Sequence, residues 1–219
     1  MLKARMICDL ENPISQHYTK LSIESFSPVS DLVQIEPFQC YTPETMPDFD
    51  WCEKKGRALT EKAILYSYYT LMKQLAEGEK FIIMEHDAYL RPDYIDLLVK
   101  WLPAHDKLTA WNPGIAIEFH TVTKEVAEHF VHLCETDNNH DVRGPMAMIS
   151  RSCDLVGGDV LYPVTGETNQ MCYAQSVGEA HRRDGEVWDA PVTQMVDMNI
   201  GVTNKRDIYK KPLRNIHFL

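Results

Sequence analysis

A chain of 219 residues, 44% hydrophobic and 25% charged, has the length for one buried core and the composition of a globular domain, which excludes a disordered or fibrous protein. Its formal net charge of -10 excludes wholesale wrapping of nucleic acid, because non-specific affinity for phosphate comes from clustered Lys and Arg. No run has the length that crosses a bilayer, no secretory h-region opens the chain, and the six cysteines show neither C-x-x-C nor zinc-like spacing, so a reduced, cytoplasmic protein without a transmembrane segment is expected.

In chain order, Met6, Ile7, Cys8 and Leu10 form a short apolar run that predicts a strand over residues 5–10, ending near Asp9 and Glu11. After Pro13 a weakly amphipathic stretch predicts a helix over 14–26, and a second strand follows over 32–38 before a Pro-rich loop. From 59 to 77 the positions Ile64, Tyr68, Leu71 and Leu75 follow helical spacing, with Gly78 where a helix ends. Lys80 to Met84 is too short and too β-prone for another helix, and reads as a buried central strand that ends in Glu85-His86-Asp87.

Pro92 opens a further helix with Ile95, Leu98, Val99 and Leu102 on one face, and Pro103 stops it. Strands are then expected over 108–112, 114–119 and 145–150, with a helix over 123–134. Alternation of this kind implies an α/β fold with a mainly parallel central sheet covered by helices. Beyond Arg151 glycines at 157, 158, 166, 178 and 185 break the chain, and only 192–196 and 199–203 resemble strands. One domain over 1–219 is expected, with 1–150 as its ligand-binding α/β part and 151–219 as a loop-rich part placed to form an acceptor site or lid.

Residues two apart in a strand project to the same side, so Glu85 and Asp87 present two carboxylates to one point. Two hard oxygen ligands at an accessible strand end suit Mg²⁺ or Mn²⁺ completed by water and diphosphate oxygens. By spacing alone the same residues also fit a polar strand end that enters a turn.

The surrounding residues resemble the lipooligosaccharide galactosyltransferase-like glycosyltransferases, family twenty-five. That family's pattern is a helix with E-x-G/A-x-x-x-S-H followed by a strand ending in E-D-D. Here Glu61, Ala63 and Ser67 stand at the helix spacings and the strand reads FIIMEHDAYL from Phe81 to Leu90. The resemblance extends to the strand ending at Asp9-Leu10 and to Gly114 through Phe119 followed by Ala127. Tyr68 stands where the family has His, and His86 replaces the middle acid of E-D-D, while the outer pair is retained.

The resemblance implies a GT-A type nucleotide-binding sandwich, an enzyme moving sugar from a UDP-sugar donor, and Mn²⁺ or Mg²⁺ as cofactor. It implies Glu85 and Asp87 as metal ligands, and Asp9 beside them as a contact to the donor nucleotide. GT-A enzymes often draw a third ligand from the later half, where His181 or His217 is available. No catalytic base is singled out among Asp141, Glu179, Asp189 and Asp197. Lys54, Lys55 and Arg57 fit a diphosphate contact or a solvated turn equally, and Tyr66, Tyr68 and Tyr69 fit core packing better than a stacking platform.

The acceptor is open: a glycan, a protein or a small molecule. A second version takes hydroxymethylated pyrimidines in DNA, gripped by Arg182, Arg183 and the basic stretch from Lys205 to Arg214. A third reading, from another class, is a non-catalytic nucleotide- or sugar-binding module that keeps the fold.

Overall fold

The computed structural model describes residues 1–48, 59–86, 88–90, 95–96, 99, 119–136 and 145–156, with short strands at 160–162, 164–165, 170–171, 175–176 and 216–218. The first strand, β1, runs Leu2–Cys8, two residues short of the expected end. The chain turns at Asp9, whose carbonyl accepts from Asn12 N at 3.2 Å, and Leu10 is left 42% exposed. Helix α1 (Pro13–Ser25) starts there because Asn12 caps it, accepting from Ile14 N and Ser15 N, with Pro13 in the first turn.

A short 3-10 turn, Ser27–Val29, leads into β2 (Val33–Gln39). Helix α2 follows over Leu59–Ala76. It stops in a Schellman arrangement: Gly78 N donates to Leu75 O at 3.1 Å and Glu79 N to Gln74 O at 3.0 Å. Gly78 has φ +105°, a conformation that a side chain disfavours. The buried face of α2 is Ala63, Leu65, Ser67, Tyr68, Leu71, Met72 and Leu75; Ile64, expected on that stripe, is 46% exposed.

Strand β3 (Ile82–Glu85) lies beside β1, and β4 (Ala88–Tyr89) lies just beyond it. Strand β5 (Phe119–His120) precedes α3 (Lys124–Thr136) and α4 (Pro145–Val156). The central sheet has the order β2-β1-β3-β5, with β1 parallel to β2 and to β3 and β5 antiparallel to β3. The architecture is α/β with a mixed four-stranded sheet.

Residues 145–150 form the first half of α4, where a strand was expected. Pro145 sits at the helix start, where its missing N–H costs nothing, and Met148 and Ile149 are buried in one cluster with Leu133 and Cys134 of α3. The helix also crosses residue 150, so the expected division between an α/β part and a loop-rich part falls inside one element.

Of the helix expected after Pro92, Ile95, Asp96 and Val99 are described and helical. The strands expected over 108–112, 192–196 and 199–203, and all but the last residue of 114–119, lie outside the described residues. Further along, β6 (Val160–Tyr162) pairs in parallel with β10 (Ile216–Phe218). Strands β7 (Val164–Thr165) and β8 (Gln170–Met171) pair antiparallel. Strand β9 (Gln175–Ser176) pairs antiparallel with β4.

The two faces of the sheet are covered separately. Ile7 and Ile83 pack with residues of α2, α3 and α4, including Leu71, Met72, Phe130 and Ile149. Ala4, Met6, Ile82 and Met84 face the other way, into a cluster with Phe26, Val29, Val33, Leu90 and Phe119. Alternate residues of β3 and of the Met6–Cys8 end of β1 therefore feed opposite cores, which is why those segments read as continuous apolar runs, while Lys3 and Arg5 pair with Glu36. Among the described residues no helix is long and apolar enough to cross a membrane.

Candidate functional site

The connections fix where a ligand would sit. Strand β1 leaves through α1 to β2 on one side, and β2 returns through α2 to β3 on the other. The two helices pack on opposite faces, so the strand order reverses between β1 and β3. Open α/β sheets bind ligands in the crevice at such a point, outside the carboxyl ends of the strands. Here those ends carry Asp9 and Glu85, with Glu85 in register with Ile7.

Asp9 shapes the β1–α1 loop. Its N–H donates to Ser15 Oγ at 2.9 Å, and its Oδ1 accepts from Glu11 N at 3.1 Å and Gln39 Nε2 at 3.2 Å. Gln39, the last residue of β2, accepts in turn from Leu10 N at 2.8 Å. The N–H groups of Ile14 and Ser15 at the start of α1 already point at Asn12.

Glu85 is half-buried, and its Oε1 accepts the hydroxyl of Tyr68 at 2.8 Å. Tyr68 is 1% exposed and its ring stacks on that of His120, with centroids 6.2 Å apart and planes 14° apart. His120 is fully buried and pairs with Ile83 across the β3–β5 ladder, which puts it on the α2 side with Glu85. His86 turns the other way: its ring lies 6.0 Å from that of Tyr18 in α1.

Ser67, the residue before Tyr68, is fully buried. Its hydroxyl donates to Ala63 O at 2.9 Å and accepts from Tyr41 N at 2.9 Å. The small Ala63 and the hydroxyl of Ser67 thus dock α2 on the segment leaving β2. Tyr66 and Tyr69 sit on another side of the helix, Tyr66 edge-on to Tyr41 at 4.6 Å and Tyr69 donating to Glu135 at 2.6 Å. Burial, followed by the Glu135 contact, pushes the Tyr69 phenol above its ordinary value.

Chain segments on both sides of the site are held by α1. Ser22 donates to Ala88 O, and Ser25 Oγ accepts from Leu90 N at 3.0 Å. Pairing of Ala88 with Ser176 brings β9 of the later half next to the same edge. Cys8 and Cys40 lie at the strand ends as free thiols, joined through Cys40 N to Cys8 O at 2.8 Å. Burial, and then the charge of Asp9, pushes the Cys40 thiol up to about 11, so at neutral pH it is a protonated and poor nucleophile.

The donor set at Glu85 is hard oxygen on a fixed carboxylate, the chemistry that suits a cation retaining most of its shell as water and phosphate oxygens. Among the described residues no group of three or more His, Cys, Asp or Glu is close enough to hold a metal by itself. Asp87 and His181 lie outside the described residues. So do Asp141, Glu179, Asp189 and Asp197, the cations Lys54, Lys55, Arg57, Arg182 and Arg183, and the stretch from Lys205 to Arg214. His217 is in β10, in register with Leu161.

A cavity of about 260 Å³ lies at the opposite edge, lined by Lys80, Phe81, Thr121 and the start of α3. It faces the amino end of β3, away from the reversal in strand order. The contact that sequence reasoning missed is Tyr68 to Glu85, because a hydrogen bond between a helix and the next strand leaves no periodic signal. No protein-family model, curated protein or solved structure matches this chain.

Proposed function

We propose that the chain is a metal-dependent glycosyltransferase of GT-A type that moves a sugar from a UDP-sugar to a hydroxyl acceptor. The observation that carries this is the Glu85 carboxylate at the carboxyl end of β3, beside the reversal in strand order where α/β sheets take their ligands. The likeness of Glu61, Ala63, Ser67 and the Glu85-x-Asp87 strand end to family twenty-five supplies the reaction class.

In this reading Glu85 and Asp87 hold Mn²⁺ or Mg²⁺, and the ordered Asp9–Asn12 loop lines the nucleotide side. When bound, the cation offsets the charge that builds on the diphosphate as it leaves. The chain's own residues orient the Glu85 carboxylate, through the hydroxyl of Tyr68.

The test is a thermal-shift titration of UDP with Mn²⁺ and with chelator. Diphosphate and carboxylates repel one another without a cation, so stabilisation is expected only with Mn²⁺ present. Equal stabilisation in chelator overturns the assignment. Transfer from the true donor then checks the ligand pair: Asp87→Asn should slow turnover on the order of a hundredfold while the fold is kept.

A further inference from the structure

We infer that Tyr68 is a positioning residue for cation binding, acting through Glu85; this rests on the metal-dependent reading above. Its hydroxyl donates to Glu85 Oε1 at 2.8 Å, and a hydrogen bond to one carboxylate oxygen fixes the last torsion of the side chain. That torsion is otherwise broad, so the bond restrains where both oxygens direct their lone pairs.

Tyr68 is itself enclosed. It is 1% exposed, packed in the cluster with Leu71, Phe130 and Val126, and stacked on the fully buried His120. A rigid donor behind a ligating carboxylate is the outer-shell arrangement that tunes metal affinity.

The competing account is that Glu85 merely satisfies a buried phenol, which needs a partner. The two differ in what a double-mutant cycle reads. Mn²⁺ affinity is measured by electron paramagnetic resonance in the presence of UDP, for the wild type, Tyr68→Phe, Glu85→Gln and the double variant, each checked for fold by circular dichroism.

A positioning role predicts that Tyr68→Phe weakens Mn²⁺ binding roughly 10- to 100-fold in the wild-type background, and has no further effect once Glu85 is Gln. Equal loss in both backgrounds, or no loss in either, overturns the inference and leaves the metal reading standing if Glu85→Gln still measurably weakens Mn²⁺ binding. No Mn²⁺ binding by the wild type overturns both. Should Tyr68→Phe not fold, Tyr68→His, which keeps a ring and a donor, is measured instead: Mn²⁺ affinity close to that of the wild type is expected, and a loss of roughly 10- to 100-fold in a folded variant overturns the inference.

Discussion

The helices on the two faces of the sheet are attached by different physics. On the α2 side three helices bury large apolar side chains, with Leu71, Met72, Val126 and Phe130 fully enclosed. On the other side α1 turns Ser15, Tyr18, Thr19 and Ser22 inward and leaves Ile14 63% and Ile23 39% exposed. The first face is held by volume. On the second, Phe26, Val29, Leu90 and Phe119 fill an apolar cluster, but α1 itself is attached by hydroxyls that reach backbone: Ser15 to Asp9 N, Ser22 to Ala88 O and Ser25 to Leu90 N. Those three bonds grip the chain leaving β1 and the chain just past Asp87, so α1 contributes position where α2, α3 and α4 contribute bulk stability.

Breaking the bulk face should give the largest effect. Phe130→Ala removes a fully enclosed ring, with an expected loss of about 3–5 kcal/mol, read by urea unfolding. Affinity for Mn²⁺ with UDP should hold in the fraction that stays folded. Ser22→Ala tests the other face: Ala88 O loses its side-chain donor, at a cost of about 1–3 kcal/mol. Hydrogen exchange should quicken at residues 88–90, and cation affinity should fall although global stability changes less than in Phe130→Ala. Equal effects of the two substitutions on affinity would erase the distinction between the faces.

Two smaller effects sharpen it. Gly78→Ala meets no atom within 4 Å of its new Cβ but keeps φ +105°, so only backbone strain opposes it, about 1 kcal/mol. That loss should appear in the melting temperature and leave ligand affinity untouched. At Cys40 the folded thiol keeps its proton to about 11 against the ordinary 9.0. The native state therefore binds more protons than the unfolded state between those values, and stability falls as pH rises from about 9 to 11. Cys40→Ala should flatten that slope slightly, measured as melting temperature against pH.

Elements whose signals are local were legible in the sequence. Asn12 and Pro13 mark the start of α1, Gly78 marks the end of α2, and the unbroken apolar run at Ile82–Met84 marks a strand buried on both faces. The segment 145–150 was not, because a short apolar run has no period of its own. Its helical state follows from Pro145 at the first turn and from burial of Met148 and Ile149 beside Leu133 and Cys134. Ile64 misled for a related reason: helical spacing gives an angle, and the face that packs runs through Ala63, Ser67, Tyr68, Leu71 and Leu75, which leaves Ile64 46% exposed. At the candidate site Glu85 could be found from its strand-end position, whereas the role of Tyr68 needed the β3–α2 packing that brings its hydroxyl there.

The pairing of β4 with β9 also sets an order on biosynthesis. At ordinary translation speeds Ser176 emerges roughly ten seconds after Tyr89, so the β2-β1-β3 ladder and the α1 clasp have time to form on a nascent chain whose β4 edge still lacks its neighbour. Unpaired edges recruit stray strands in proportion to their length. At two residues, β4 offers a passing chain too little to hold while it waits for its own C-terminal half.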